Sequence, residues 1–375
     1  AEAMRNALDA APANPSSVHA AGKAARRLVD GARRSVAGLV GGRPEEIIFT
    51  GSGSEAAWIA LHGALEAARD EDAPPLVVSS PIEHAALREP LAALDEAGVI
   101  RLTLAPIGAT GLVDADCFEE ILADRPALVV CQWANNETGV IQPVDIIGTA
   151  CRAAGVPFLV DAVAAAGRLD LRATHGIADL VVLSSAKLGG PAGVGALWIR
   201  PGLSLTSPLG AGGQEQGLRG GTENVIGIVG FGAAAAAAAT TDVGGLAAVM
   251  AHGVSRVRER VSGALLAGDG SPRLANTAQF VVPHDDEEML ILALDRFGYA
   301  VSAGSACAAG AHKRSHVLEA MGLLGPGLAS VRVSIGADTT KGDMDDFAEA
   351  LRACVRAAAP AEAEEIVEWP TGGAG

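Results

Sequence analysis

The chain has 375 residues, of which 49% are hydrophobic and only 3% aromatic, with 28 basic against 44 acidic side chains. This length excludes a mini-protein and allows one large α/β unit or two ordinary domains with a substantial core. The formal charge of −16 argues against direct nucleic-acid binding, because phosphate backbones repel such a surface. No apolar stretch has the length and flanks of a membrane span, so we expect no membrane association.

The five cysteines are an odd number without a C-x-x-C pair, which fits neither a disulfide framework nor a structural zinc site. The first residues are acidic and helix-like, without the apolar core of a signal peptide. We therefore expect a reducing, cytoplasmic environment and no metal site. The chain begins at Ala1 rather than Met, and we expect some N-terminal residues to precede this numbering.

Short apolar runs alternate with alanine-rich helical stretches, a pattern typical of α/β proteins with a mainly parallel sheet. We predict strands at residues 45–50, 76–79, 127–132, 156–161, 180–184 and 195–200. Helices are predicted between them, including residues 55–69, 85–97 and 144–154.

The sequence pattern changes after Gly230. A periodic stretch over residues 246–266 predicts a linking helix, and residues 277–282, 298–302 and 330–335 are predicted strands of a smaller α+β unit. We predict a large cofactor-binding domain over residues 12–245. Residues 1–11 and 246–375 are predicted to form the small domain, so the N-terminal helix is expected to pack with the smaller unit.

Asp161 and Lys187 stand at the ends of two predicted strands. The carboxyl ends of parallel strands line a ligand crevice, so we expect both side chains to face one pocket. A lysine there can form a Schiff base with an aldehyde cofactor, and an aspartate can hold a pyridinium proton. Taken singly, Asp161 is explained more simply as a structural cap, and Lys187 as a solvated lysine in a turn.

The stretch Gly51-Ser52-Gly53-Ser54-Glu55 follows a strand and opens a helix. Its glycines and free helix N–H groups suit a phosphate. The same letters fit the dinucleotide pattern G-x-G-x-x-A. The next strand ends in serine and proline rather than an acid that could hold a ribose, which weakens the dinucleotide interpretation. A plain tight turn is nearly as good an explanation.

Two further loops follow predicted strands. His84 could stack on a planar cofactor ring, and Asn136, in the amide-rich stretch WANNETG, could bond a phenolate oxygen. Loop histidines and amide-rich turns are more often structural, and neither residue identifies a function by itself.

Cys307 is surrounded by small residues, which predicts an exposed loop and makes its thiol a candidate nucleophile. The other four cysteines fall in predicted helices or apolar elements and are assigned no chemistry. Arg332 lies in a predicted strand, where an arginine needs a partner such as a substrate carboxylate or a protein acid.

Taken in order, these segments resemble the cysteine desulfurases, pyridoxal-phosphate enzymes of the class V aminotransferase group. The resemblance runs from about Asn14 to Thr340. It is carried by NPSSVHAAGKAARR, EEIIFTGSGSE, EHAAL, WANNETGVIQP, VDA, SSAKLGGPAGVGAL, GGQEQGLRGGTENV, SAGSACAAGAHKRSHVLEAMG and SVRVSIG. The long cysteine loop is similar to that of the housekeeping iron–sulfur type. The resemblance implies an α/β protein of pyridoxal-phosphate fold type I, with a mainly parallel seven-stranded sheet and a smaller α+β domain.

The resemblance also implies roles around the cofactor ring. Lys187 would bind pyridoxal 5′-phosphate as a Schiff base and later carry protons at the substrate Cα. Asp161 would pair with the pyridine nitrogen, and His84 would stack on the ring and act in acid–base steps. Asn136 would contact the phenolic oxygen and the substrate, and Arg332 would bind the carboxylate of L-cysteine.

For the phosphate and the sulfur, the resemblance implies a second set of residues. The phosphate would be bound by Gly53, Ser54 and Ser184, and Thr222 would reach the phosphate of the partner subunit in a homodimer. Cys307 would attack the substrate sulfur, leaving L-alanine and a persulfide for delivery to an acceptor protein.

The sequence departs from the family pattern at several cofactor contacts. A histidine expected before the lysine is Ala186, and a glutamine expected after the aspartate is Ala164. Ser54 replaces a threonine, residues 56–58 differ, and an expected arginine is Gln216. Each lost hydrogen bond to a charged group costs about 1.5–3 kcal/mol of binding, so we expect weakened cofactor retention. The numbering at Ala1 starts after the position of the family's opening strand segment, and we expect disorder, cleavage or an unnumbered start to account for this.

Three alternatives stay open. A related lyase or aminotransferase is disfavoured by the cysteine loop, which a transaminase does not need. A degenerate paralogue acting as a scaffold is suggested by the losses at Ala164 and Ala186, and a dinucleotide oxidoreductase comes last. The sulfur acceptor is left open among iron–sulfur assembly, tRNA thiolation and DNA phosphorothioation.

Overall fold

The computed structural model describes residues 1–10, 13–68, 73–210, 212–304 and 314–358. The strands are β1 (Ile47–Thr50), β2 (Leu76–Ser79), β3 (Arg101–Leu104), β4 (Leu128–Gln132), β5 (Phe158–Asp161), β6 (Leu180–Ser184), β7 (Gly195–Ile199), β8 (Leu265–Leu266), β9 (Thr277–Pro283) and β10 (Leu328–Ser334). The helices are α1 (Glu2–Ala10), α2 (Ala20–Val40), α3 (Gly53–Ala67), α4 (Ala85–Glu96), α5 (Phe118–Ala123), α6 (Val144–Ala154), α7 (Val225–Ala238), α8 (Val243–Arg260), α9 (Glu287–Arg296), α10 (His316–Ala320) and α11 (Lys341–Ala358).

Seven strands form one sheet in the order β1-β7-β6-β5-β4-β2-β3, and only β7 runs against the others. The central strands are apolar on both faces and fully buried, as a helix-covered parallel sheet requires. Register pairs Gln132 with Asp161, and Asp161 with Val182. The carboxyl ends of β4, β5 and β6 therefore meet at one edge. The strand order and directions confirm the predicted α/β architecture with a mainly parallel seven-stranded sheet.

Helices cover both faces of this sheet. One face packs against α2 and α7, in a core that contains Val29, Phe231 and Trp198. The other face packs against α3 and α4, whose apolar residues include Ile59 and Leu87. Two independent apolar layers hold the sheet rigidly, so residues at its carboxyl edge have fixed positions.

The smaller sheet has the order β10-β9-β8 and is antiparallel. Its core includes Phe280, Val331 and Phe347, and α8, α9 and α11 pack around it. Residues of both sheets border the cavity described below.

The predicted strands at residues 76–79 and 180–184 and the predicted helix at residues 144–154 have the same bounds in the structure. Strand β3 was missed because it is a half-exposed edge strand without an apolar run. The strand predicted at residues 298–302 is wrong: Gly298 adopts a φ of +88° just after α9, and only Ser302 forms an isolated bridge, to Arg332. The linking helix ends at Arg260, and Leu265–Leu266 pairs with β9 as a short strand.

The division of the chain near residue 245 stays a prediction. We expected the N-terminal helix to pack with the smaller unit, but α1 contacts α7 and α2 of the large sheet's layer. Its Met4 sulfur lies 2.8 Å from where a Cβ on Gly230 would be, so the glycine allows this close packing.

Among the described residues, no single helix is long and apolar enough to cross a membrane. One pair, α7 and α8, meets the length and composition criterion together but is bent by 78°.

Candidate active site

A cavity of about 380 Å³ lies at the carboxyl edge of the large sheet, where the smaller sheet approaches it. Five of the predicted site residues border this cavity: His84, Asn136, Asp161, Lys187 and Arg332. They come from four strand ends or strand-end turns of the large sheet and from β10. The cavity has the size of an ordinary small-molecule pocket, so a ligand of the size of an amino acid joined to a planar ring can be accommodated.

Asp161 ends β5 and is 7% exposed. Its Oδ1 accepts the Val163 N–H at 2.9 Å, which fixes the carboxyl orientation. Burial raises the pKa of Asp161, while the Val163 N–H and the charge of His84 oppose the shift. A buried carboxylate of this kind is stabilised by a cationic or N–H partner inside the cavity.

Lys187 lies in a single helical turn, residues 185–188, directly after β6. Gly189 ends the turn with a φ of +77°, and the Gly190 N–H donates to the Ser185 carbonyl at 3.0 Å. A Cβ on Gly190 would lie 2.3 Å from the Ser185 Oγ and 3.1 Å from the Ala234 Cβ, so a larger residue there would displace Ser185 or α7. The turn is thus pinned against α7, and it presents Lys187 at the cavity.

His84 caps the N-terminus of α4. Its Nδ1 accepts the Ala86 N–H at 3.1 Å, so in the neutral ring the proton resides on Nε2. This bond fixes the ring plane beside the cavity, where Nε2–H is a donor.

The Arg332 guanidinium crosses from the smaller sheet to the amide-rich turn. Its Nη1 donates to the Asn136 carbonyl oxygen at 3.2 Å. Within that turn, the Asn135 Oδ1 accepts the N–H groups of Glu137 and Thr138 at 2.9 and 2.8 Å. The turn is therefore internally rigid, and it holds both Asn136 and Arg332 at the rim of the cavity.

Two of the predicted phosphate residues, Gly53 and Ser54, lie at the start of α3, and a third, Ser184, ends β6. A Cβ on Gly53 would lie 3.1 Å from the Ser184 Cβ, so the helix start and the end of β6 are neighbours. A Cβ on Gly195 would lie 2.3 Å from the carbonyl carbon of Ser52, so β7 also passes close to this turn. Ser54 is exposed in the first turn of α3. Positive helix-dipole charge and exposed hydroxyl groups at one point favour an anion.

Thr222 is exposed and does not border the cavity. The neighbouring Arg219 forms an ion pair with Glu55 at 2.8 Å, which ties this segment to the first turn of α3. Gln216, by contrast, lies on a separate cavity of about 400 Å³, in a left-handed conformation with φ of +60°. Its Nε2 donates to the Glu45 carbonyl at 2.7 Å, so the departure at this position lies on a different cavity from Lys187.

Ala164 and Ala186 both border the cavity that contains Lys187. The two departures that removed expected polar side chains are therefore at the site itself.

Glu83 is completely buried behind His84. Its Oε1 accepts the Ser80 hydroxyl at 2.7 Å and the Gln132 N–H at 3.1 Å, whereas its Oε2 has no partner among the described residues. Burial raises the pKa of Glu83 to about 8, the two hydrogen bonds oppose the shift, and the charge of Asp161 adds to it. The group is therefore mostly a neutral acid at pH 7.

Cys307 lies outside the described residues, so its predicted exposure stays a prediction. The four described cysteines are free. Burial raises the pKa of all four, of Cys151 to about 12 and of Cys131 well above its ordinary value, so they remain protonated thiols at neutral pH. Among the described residues, no cluster of His, Cys, Asp and Glu is placed to hold a metal ion.

Sequence reasoning missed several cavity residues. Gln132 is paired with Asp161 in register, and its position at a strand end was a usable signal. Arg168 follows a loop glycine, and its Nη1 donates to the carbonyls of Lys187 at 2.6 Å and of Ala166 at 2.9 Å. No local pattern marks Arg168, because this contact depends on tertiary packing.

The model of the class-V aminotransferase family matches residues 1–347, so the chain belongs to that family. A curated cysteine desulfurase of Cereibacter sphaeroides is 37% identical over 360 residues, which cover 94% of this chain and 92% of the relative. A solved structure described as a NifS-like protein is 28% identical and has a TM-score of 0.85, covering 95% of this chain and 94% of that one. The structure of SspA in complex with cysteine is 30% identical with a TM-score of 0.77, covering 89% and 94%. The resemblance to cysteine desulfurases is confirmed.

Proposed function

We propose that the protein is a pyridoxal-phosphate-dependent cysteine desulfurase that converts L-cysteine to L-alanine and transfers the sulfur to Cys307. The observation that carries the proposal is the meeting of Lys187, Asp161 and Arg332 around one cavity of about 380 Å³. An amine, a buried acid and a guanidinium around one cavity provide partners for an aldehyde, a ring nitrogen and an amino-acid carboxylate.

The residues present fit pyridoxal phosphate. Asp161 is a buried carboxyl whose described hydrogen bond uses one oxygen, so a protonated ring nitrogen is a suitable partner. Lys187 supplies an amine for the aldehyde, and the start of α3 beside Ser184 suits the phosphate. Ala164 and Ala186 provide fewer contacts than the family pattern, which predicts weaker retention rather than loss.

When bound, pyridoxal phosphate withdraws electrons from the Cα of an amino acid attached to its aldehyde carbon. Lys187 would hold that aldehyde in the resting enzyme and would then take and return the proton at the substrate Cα. Asp161 would keep the ring nitrogen protonated, and His84 would stack on the ring. Asn136 would donate a side-chain N–H to the phenolic oxygen.

Arg332 orients the substrate. Its guanidinium binds the carboxylate of L-cysteine through charge-assisted hydrogen bonds, and the bond to the Asn136 carbonyl prevents it from swinging away.

Cys307 accepts the sulfur. Its thiolate forms a bond to the substrate sulfur while the Cβ–S bond breaks, and the electron pair of that bond remains on Cβ, which is then protonated. The net change is L-cysteine plus a thiol giving L-alanine plus a persulfide, so no external oxidant or reductant is consumed. The raised pKa values of the four described cysteines support Cys307 as the reactive thiol.

The proposal includes a homodimer in which Thr222 reaches the partner's phosphate, an acceptor protein for the persulfide sulfur, and a reducing, cytoplasmic location. The exposure of Thr222, which leaves it accessible to a second subunit, supports the first part. The free state of the described cysteines supports the last. The net charge of −16 favours a protein acceptor over direct contact with nucleic acid.

The test uses the purified protein supplied with pyridoxal phosphate. Wild type should be yellow and should release sulfide from L-cysteine under reductant. Lys187→Ala should lose the Schiff-base colour, whereas the control Lys23→Ala, on an exposed helix surface, should keep it. Cys307→Ser should keep the colour and lose sulfide release, and Cys117→Ser should lose neither.

A protein that stays colourless after reconstitution would contradict the enzymatic proposal and favour a scaffold. Alanine formation that is unchanged in Cys307→Ser would favour a lyase or aminotransferase instead.

A further inference from the structure

The two ends of the segment that carries Cys307 lie next to each other. Gly304 precedes the segment and Ser315 follows it, and a Cβ on Gly304 would lie 2.9 Å from the Ser315 Cβ. Closing a loop costs conformational entropy, so the fold must supply contacts that keep its ends together.

A buried carboxyl group holds this junction. Glu137 is 2% exposed, and its Oε2 accepts the Ser315 hydroxyl. The same oxygen would lie 2.4 Å from a Cβ on Gly304, so any side chain at position 304 would push it away. Glu137 therefore touches both ends of the segment.

Glu137 also belongs to the amide-rich turn at the cavity. It directly follows Asn136, whose carbonyl holds Arg332, and its N–H donates to the Asn135 Oδ1 at 2.9 Å. Burial raises the pKa of Glu137, and the Ser315 hydroxyl and the Arg332 charge lower it. Glu137 is thus linked to the substrate anchor by position, by charge and by the rigidity of the turn.

Two more contacts join the same segment ends to site residues. Before the segment, Ser302 and Arg332 exchange backbone hydrogen bonds of 3.2 and 2.7 Å. After it, the His316 Nε2–H donates to the Glu83 carbonyl at 3.1 Å, one residue before His84. Burial and the charge of Arg88 lower the pKa of His316, so the neutral ring makes this bond.

We propose that Glu137 and Ser315 are positioning residues for sulfur transfer, because their hydrogen bond, packed against Gly304, fixes the base of the Cys307 segment to the turn that holds Arg332. The inference rests on the proposed function. It assigns to the amide-rich turn a second task beside contact with the cofactor. The same rigid turn positions the group that binds the substrate carboxylate and the base of the segment that carries the attacking thiol. A displacement of about 1 Å in such geometry lowers a rate by up to roughly 100-fold.

The test compares two substrates. L-Cysteine needs the thiol of Cys307, whereas L-cysteine sulfinate gives L-alanine and sulfur dioxide without a thiol acceptor. In Ser315→Ala we expect kcat for L-cysteine to fall about tenfold or more, with KM and the rate on L-cysteine sulfinate within about twofold of wild type. Ser315→Thr keeps the hydroxyl and should restore kcat.

Two variants separate positioning from simple damage. Ser315 also caps α10 by accepting the Leu318 N–H at 3.1 Å, so the matched control is Asp286→Ala, which removes the equivalent cap of α9 on Met289. Gly304→Ala keeps the Ser315 hydroxyl that caps α10 and should reproduce the Ser315→Ala effect, because the new methyl group would lie 2.4 Å from the Glu137 Oε2 and displaces that carboxyl. Asp286→Ala should keep the wild-type rates.

A third measurement does not depend on turnover. In the cofactor-free protein, alkylation of Cys307 by iodoacetamide should be faster in Ser315→Ala, since one end of the segment is released, and should return to the wild-type rate in Ser315→Thr.

Equal losses on both substrates, or wild-type rates on both in Ser315→Ala and Gly304→Ala, would overturn the inference alone. A wild-type enzyme whose alanine formation from L-cysteine does not require Cys307 would instead overturn the proposed function, and the inference with it.

Discussion

The two sides of the cavity hold their side chains in different ways. On the sheet side, Asp161 ends a buried strand and is fixed by the Val163 N–H, whereas Lys187 follows a buried strand in a turn closed by a backbone bond from Gly190. On the side of the smaller unit, Arg332 and Ser315 are fixed by hydrogen bonds to the amide-rich turn, nearly 200 residues away in sequence.

This difference separates two tasks. The sheet side places the groups that would bind and polarise a cofactor ring, and its geometry is set by strand register and by local turns at the strand ends. The other side would place the substrate carboxylate and the base of the cysteine segment, and its geometry exists only when both units are assembled. Damage to the first side should remove the cofactor, whereas damage to the second should leave the cofactor and impair the use of substrate.

The largest expected effect comes from Arg332→Ala. Removing the guanidinium leaves the substrate carboxylate without its ion-pair partner, so kcat/KM for L-cysteine should fall by about 10²- to 10³-fold. The yellow colour should remain, because Asp161 and Lys187 are on the other side. Steady-state kinetics of each variant measure kcat/KM, and its absorbance spectrum measures the bound cofactor.

Arg332→Lys should recover only part of the loss, since an ammonium cannot form the two parallel hydrogen bonds of a guanidinium. Arg172→Ala, an exposed arginine paired with Asp170, serves as the control and should behave as wild type. Loss of cofactor in Arg332→Ala would contradict the proposal that the two sides have separate tasks.

A second prediction concerns Glu83, the buried acid where the two sides meet. Its pKa in the folded state, about 8, lies above its ordinary value of 4.5. The contribution of Glu83 to stability is therefore fully present below about pH 4.5 and is lost as the pH rises towards 8. In Glu83→Gln this loss cannot occur, so from pH 5 to pH 8 the variant should gain about 3 kcal/mol of unfolding free energy relative to wild type.

Urea unfolding of the cofactor-free proteins at several pH values measures this gain, and the exposed control Glu89→Gln should show none. If the free energy of unfolding changed with pH in the same way in wild type and Glu83→Gln, Glu83 would be ionised over the whole range from pH 5 to pH 8, which would contradict the prediction.

The smallest effects are expected on the sheet side, at the two positions that lack family side chains. Ala186→His and Ala164→Gln should each return a hydrogen bond to a charged or polar cofactor group and tighten cofactor binding about tenfold. Equilibrium dialysis against pyridoxal phosphate measures the dissociation constants. Ala97→His, on an exposed helix end, should change nothing, and equal affinity in all three variants would place the cofactor elsewhere.

Most of the sheet side could be predicted from the sequence. Strand β6 and helix α6 have the predicted bounds, because long apolar runs and helical periodicity are local signals. Asp161 and Lys187 were predicted to share a pocket because the ends of parallel strands meet at one edge.

The other side was less predictable, since its contacts join distant segments. Nothing local marks Ser315 or Glu137 as partners, and Gly304 has no pattern that distinguishes it from a loop glycine. The strand predicted at residues 298–302 failed for the same reason: a single bridge to Arg332 replaced the expected ladder. Edge strand β3 was missed because exposed strands carry no apolar run.

The central claim, that the sulfur of L-cysteine is transferred to Cys307, can be measured in one turnover. The yellow enzyme is mixed with one equivalent of L-cysteine without reductant, alkylated and digested, and the cysteine peptides are weighed by mass spectrometry. We predict one added sulfur atom on the peptide with Cys307, none on the peptides with the other four cysteines, and one equivalent of L-alanine. Full alanine formation without added sulfur on the Cys307 peptide would contradict the account.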